Sequence, residues 1–258
     1  MAFTTINKST DHFNTKLYTG NGTAIGSGGQ AITGVGFQPD WTWIKLRNGA
    51  AQHVLFDVVR GVTKRIYSST NSAESTNAES LTAFGTDGFT LGNNAGVNEN
   101  GDTYVSWNWK AGNAQGSSNT DGSINTTYTS VNTTAGFSIV KYTGTGSNAT
   151  VGHGLGVAPS MILFKNLSSA RTWIVYHKDI GATKNLYLDL NNSVNTASDT
   201  FNNTAPTSTV FSVGTSVGTN ESGDDIIAYC FAEKTGYSKF GSYTGNGNAD
   251  GTFVYTGF

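Results

Sequence analysis

Short runs in which apolar and polar residues alternate dominate the chain. "WTWIKL" (41–46), "HVLFDVV" (53–59), "RIYSS" (65–69), "YVSWNW" (104–109), "FSIVKYT" (137–143), "MILFKN" (161–166), "WIVYH" (173–177), "LYLDL" (186–190), "IIAYCF" (226–231) and "TFVYTGF" (252–258) are rich in β-branched and aromatic residues. Gly, Asn, Asp and Ser separate them, which is the signature of strands joined by turns. No stretch sustains a helical period, and 71–84 offers one short helical turn at most. Period two places Trp41, Trp43, Lys45 and Arg47 on one face of a strand, and Thr42, Ile44 and Leu46 on the other.

The pattern also recurs at long range. "LYTGNG" (17–22) returns as "KYTGTG" (141–146) and again as "SYTGNG" (242–247). "GVGFQPDWTWIK" (34–45) aligns without a gap on "GLGVAPSMILFK" (154–165), and "FTLGNNAGVNENGDTYVSWNWKAG" (89–112) answers "FSVGTSVGTNESGDDIIAYCFAEKTG" (211–236). The chain therefore reads as an N-terminal attachment segment (1–12), one unit over 13–112, a polar linker (113–136) and a second unit over 137–236. Residues 237–258 read as the opening strands of a third unit, or as a closing strand. Six to eight strands per unit predict an all-β protein of tandem antiparallel β-sandwiches, of jelly-roll or concanavalin-like type.

Composition narrows the function classes. Charged residues make up 12% of the chain and the net charge is −2, so no field exists to attract nucleic acid or an acidic membrane. No run is long enough to span a bilayer, and the first residues carry neither a basic nor an apolar signal region. Cys230 is the only cysteine, which rules out an intrachain disulfide and a cysteine-based metal site. A neutral, hydroxyl-rich and amide-rich chain without a secretory signal suits a virion component, assembled in a cytoplasm and released by lysis.

The densest chemistry lies in 34–61, where Asp40, Trp41, Trp43, Lys45, Arg47, His53, Asp57 and Arg60 crowd together. The second unit is an internal control. Gly34, Gly36, Pro39, Lys45 and Gly61 recur as Gly154, Gly156, Pro159, Lys165 and Gly181, as turn glycines and a strand-starting proline must. Asp40 becomes Ser160, Trp41 and Trp43 become Met161 and Leu163, Arg47 becomes Leu167, His53 becomes Trp173, Asp57 becomes His177, and Arg60 becomes Ile180.

Exchangeable charges are ion-pair locks, Asp57 with Arg60 or Asp40 with Arg47, and only the two lysines persist. His53 and Asp57 lie about 13 Å apart along a strand, too far for a dyad. Asp40, Asp57, Glu99 and Asp102 are the carboxylates available to a glycosidase, but no spacing pairs them. The Asn/Asp-Gly loops read as hairpin turns and not calcium loops. No catalytic residue, metal or cofactor is expected. Trp41 and Trp43 read either as core or, with Lys45 and Arg47, as a face on which a glycan stacks.

The string "YTGNG…ITGVGFQPDWTWIK…DGFTLG…NGDTYVSWNWKAG" resembles tandem repeats of virion and tail-fibre-like proteins of marine bacteriophages, some of them lectin-type sandwiches. The resemblance implies a structural fibre or appendage protein, in contact with other virion proteins and homo-oligomeric, a trimer being the common fibre state. It supplies no catalytic residues. A lectin-like adhesin reading a host surface glycan is the alternative, and a polysaccharide depolymerase stands behind it.

Overall fold

Strand-and-turn alternation becomes two copies of one sandwich in the computed structural model, which describes residues 4–257. The first repeat runs β1 (Phe13–Thr19), β2 (Gln30–Thr33), β3 (Trp41–Leu46), β4 (Val54–Asp57), β5 (Lys64–Tyr67), β6 (Ser75–Thr76), β7 (Leu81–Gly85), β8 (Gly88–Leu91) and β9 (Thr103–Trp109). β10 (Tyr128–Asn132) follows. The second repeat is β11 (Phe137–Thr143), β12 (Ala149–Gly152), β13 (Met161–Asn166), β14 (Ile174–His177), β15 (Lys184–Tyr187), β16 (Asn195–Thr196), β17 (Val210–Val213) and β18 (Asp225–Phe231). One-turn helices α1 (Ala95–Asn98) and α2 (Val217–Asn220) precede β9 and β18.

The large sheets have the orders β1-β9-β3-β4-β5-β6 and β10-β11-β18-β13-β14-β15-β16, and the small ones β2-β8-β7 and β12-β17. Neighbouring strands are antiparallel throughout. The all-β antiparallel sandwich is thus what forms, with nine strands in the first repeat where six to eight were expected, because two-residue β6 and β7, which has no counterpart in the second repeat, add to the count.

Each repeat lays its small sheet on the outer face of its large one, and the two large sheets face each other. The result is four layers of sheet with three cores. Ile32, Ile44, Phe56, Phe89 and Tyr104 fill the first. Tyr142, Phe164, Phe211 and Ile226 fill the last. The middle core is shared, with Trp41, Leu55 and Ile66 against Phe137, Leu163, Trp173 and Tyr229. Both faces of β3 are therefore used, Ile44 and Leu46 inside the repeat and Trp41 between repeats. Burying a side chain of this size contributes on the order of 1.5–3 kcal/mol.

The recurring "YTGxG" has a local cause. Tyr18 Oη donates to Val97 O (2.8 Å) and Tyr142 Oη to Thr219 O (2.5 Å), satisfying carbonyls of α1 and α2. A Cβ at Gly20 would lie 2.2 Å from Glu99 O, and one at Gly144 2.2 Å from Glu221 O, so only glycine fits. The third copy has no such anchor: Tyr243 is 69% exposed, and no strand forms past Ser238 among the described residues. Phe258 and residues 1–3 lie outside the described residues.

Two boundaries differ from the sequence reading. The segment 113–136 is not a free linker, because β10 pairs with β11 and Ile124, 8% exposed, bridges to Val151. Its polar side chains hid the strand. Ser130 Oγ accepts from Gly112 N (3.0 Å) and donates to Ala114 O (2.6 Å), tying the first repeat's end to β10. The attachment segment, where described, lies on the body, with Ile6 buried and the His12 ring 6.1 Å from Tyr237.

Candidate functional site

The expected glycines hold the turns around the shared core. Gly34, Gly36, Gly61, Gly154, Gly156 and Gly181 all have φ between 71° and 90°, and Pro39 and Pro159 are buried just before the strands they start. From that frame β3, β4 and β9 project Trp41, Asp57 and Trp109 toward the second repeat.

Asp57 is fully buried and locks the two repeats. Its Oδ2 accepts from Arg60 Nε (2.5 Å) and from Tyr229 Oη (2.6 Å), and its Oδ1 accepts from Arg60 N (2.8 Å). Arg60 Nη2 donates to Leu55 O (2.9 Å) and Nη1 reaches Lys64 O and Glu74. Burial alone would push the guanidinium pKa down; Asp57, Tyr229 and Glu74 more than offset it and raise it above its ordinary value. Burial, then the Asp57 charge, holds the Tyr229 phenol well above 10.0. The expected Asp57–Arg60 pair is present. The Asp40–Arg47 pair is not: Asp40 accepts from Ala111 N (2.6 Å), Asn113 N (2.9 Å) and Gln38 Nε2 (3.0 Å), and Arg47 is exposed. Burial raises the Asp40 pKa despite those donors.

At one end of the shared core the sheets part around a cavity of about 340 Å³, walled by Phe13, Trp41, Trp43, Trp109, Phe137 and Phe231 among others. Trp41 sits deepest. Its ring stacks on Tyr229 (4.4 Å, 20°) and lies 4.4 Å from Trp109, and its Nε1 is buried without a hydrogen-bond partner. Trp43 and Trp109 continue into a shallower groove of about 260 Å³ completed by His53 and Trp107. Trp43 Nε1 donates to His53 Nδ1 (2.8 Å), which requires that nitrogen to be bare. Burial, with Lys45 nearby, lowers the His53 pKa and keeps it so.

Of the four residues expected to form a glycan face, the structure brings only Trp43 to the groove. Trp41 is 1% exposed, its plane sealed between Trp109 and Tyr229. Lys45 curls over its own turn, donating to Leu46 O (2.6 Å) and Gly49 O (3.4 Å), and Arg47 lies beyond the strand end. The open face is Trp43, Trp107, Trp109 and His53. Trp107 and Trp109 stand where the second repeat has Tyr229 and Phe231, an aromatic ladder kept in type that by itself reads as core. The available signal was the spacing of four tryptophans on paired strands, Trp43 opposite Trp107 and Trp41 opposite Trp109.

The two persistent lysines differ in role. Lys165 is fully buried, and its Nζ donates to Asn166 O (2.8 Å), Arg171 O (2.8 Å) and, across the repeat boundary, Asn71 O (3.2 Å). Burial lowers its pKa to about 8, with Asp189 opposing. Among the described residues no cluster of three or more His, Cys, Asp or Glu is disposed to hold a metal ion, and no helix is long and apolar enough to cross a membrane.

Chemically, the groove offers flat apolar rings that stack on a planar or pyranose face, beside a titratable imidazole. Residues 8–258 match a protein family described as a domain of unknown function (DUF7483). Neither the curated proteins nor the solved structures contain a match to the chain.

Proposed function

Because the chain belongs to the DUF7483 family, whose description states no activity, we propose from its own geometry that it is a structural building block of a phage virion, of fibre or appendage type. One observation carries the reading. The chain's densest chemistry, Asp57, Arg60 and Tyr229, is committed to fastening one repeat onto the next. Stacked sheets with a shared aromatic core make a rigid body without disulfides, and the 12% charge limits nonspecific ionic adhesion. Mass spectrometry and immunogold electron microscopy of purified particles test it. The chain is expected on the particle at a fixed copy number; finding it only in particle-free cytosol sinks the reading.

A second reading is favoured by the open groove: a lectin-like surface where Trp43 and Trp107 stack on a host glycan. Trp107→Ala is expected to lower binding to a cognate oligosaccharide on a glycan array about tenfold, about 1.4 kcal/mol, through loss of the stacked ring and the apolar area it covers. The circular dichroism spectrum should stay unchanged. A wild-type chain that binds no host-surface polysaccharide removes this reading and leaves the first intact.

A further inference from the structure

The same edge is treated differently in the two repeats. In the second, the outward backbone groups of Phe137, Ile139 and Lys141 pair with β10, through Asn132, Ser130 and Tyr128. In the first, β1 ends the sheet. His12 O accepts from Lys110 N (2.9 Å) and Gly20 N donates to Asp102 O (2.8 Å), flanking the β1–β9 ladder. Residues 12 and 20 thus bond inward, and so do 14, 16 and 18 between them. The amides and carbonyls of Phe13, Thr15, Leu17 and Thr19 point outward with no strand beside them. Of these, Thr15 N–H bonds the Oδ1 of neighbouring Asn14 (2.9 Å) and Thr19 O accepts from Gln30 Nε2 (2.9 Å), both side-chain partners from the chain itself. On this edge Leu17 is 56% exposed, on the face that carries Trp107 and Trp43.

We propose that the β1 edge is a self-association site closed by β1 of a second copy, antiparallel about a twofold axis at Leu17. The register follows from the residues. An axis at Lys16 sets lysine against lysine, which is unfavourable. Moving the axis to Leu17 sets Leu17 against Leu17, Lys16 against Tyr18 and Thr15 against Thr19, and it pairs outward backbone groups with outward backbone groups. A net charge of −2 per chain opposes the approach only weakly. The joined sheets form one surface continuous with the inter-repeat interface. It sets two Trp43–Trp107 grooves side by side, which gives any repetitive ligand two points of attachment. The site stands independently of where on a particle the chain resides.

Sedimentation equilibrium over a wide concentration range reads the prediction directly. The wild-type chain is expected to pass from 27.1 kDa toward twice that mass. Leu17→Lys installs the residue that the second repeat already carries at this position, Lys141, so the fold has precedent for it. It also sets like charges on the axis, and is expected to weaken association at least tenfold, about 1.4 kcal/mol. Cysteine at 17 (Leu17→Cys) is expected to give a dimer with a short bis-maleimide linker, the single native cysteine being buried. A wild-type chain that stays monomeric throughout overturns the proposal. So does a dimer that Leu17→Lys leaves unchanged, or a trimer as the limiting species.

Discussion

Strands β9 and β18 hold the same place in their repeats, yet Trp107 borders an open groove while Tyr229 is wholly buried against Asp57. The neighbours follow suit. Trp43 and His53 line the groove, and their counterparts Leu163 and Trp173 are sealed in the shared core. The two large sheets are alike, but they meet staggered, through different parts of their surfaces. A heterologous contact of this kind covers one copy of each surface and leaves the other free. Residues then diverge by what covers them: Asp57, Arg60 and Tyr229 make a lock, while His177, Ile180 and Trp107 in the related positions make none.

The strongest way to break this comparison is to remove the lock on one side only. Asp57→Ala leaves the buried Tyr229 hydroxyl without its acceptor and buried Arg60 with only Glu74 as counter-charge, and is expected to cost about 3–5 kcal/mol in urea unfolding. His177→Ala, at the related but half-exposed site, should cost roughly 1 kcal/mol or less. Equal losses at the two positions would mean that the Asp57 cluster is not what joins the repeats.

Much of this architecture was legible in the sequence, and the illegible part has a common cause. Alternation marked the strands, the repeat showed that the second unit copies the first, and the exchange of charges between units marked Asp57 and Arg60 as an ion pair. Burial of Trp41 but not Trp43 could not be read, because the two share a face and only the stagger of a distant sheet separates them. Tyr229 meets Asp57 from 172 residues away, and the partner's loss in the second repeat made Asp57 look dispensable. β10 was missed because Thr, Ser and Asn at an edge satisfy their polar groups by stapling loops, so no apolar alternation marked the strand.

Buried Lys165, in the second repeat, sharpens the comparison through pH. Lys165 has a folded pKa of about 8, below the unfolded 10.5, so burial of its charge destabilises the native state. Below pH 8 both states hold the proton and the cost is complete. Between 8 and 10.5 the unfolded chain binds more protons than the native one, so stability rises with pH through that window. The rise is expected to reach up to about 3 kcal/mol, visible as the difference between wild-type and Lys165→Met unfolding free energies across the window. A flat difference would show that Lys165 is not titrating in isolation from water.

The smallest expected effect tests whether the asymmetry reaches the turns. Gly61 and Gly181 follow β4 and β14, with φ of 90° and 75° and open space where a Cβ would stand. Steric clash is therefore absent, and Gly→Ala should cost only the left-handed backbone strain, about 1–2 kcal/mol at either site. Gly61 N–H also bonds Asp57 O (3.1 Å), and Gly181 N–H bonds His177 O (3.3 Å), so each turn hangs from a position whose residue differs between the repeats. Equal losses, adding in the double variant, place the turn geometry upstream of the lock, as a property of each repeat alone. A larger loss at Gly61 that vanishes in an Asp57→Ala background would instead make the turn part of the lock, with Arg60 held in place by the backbone that follows it.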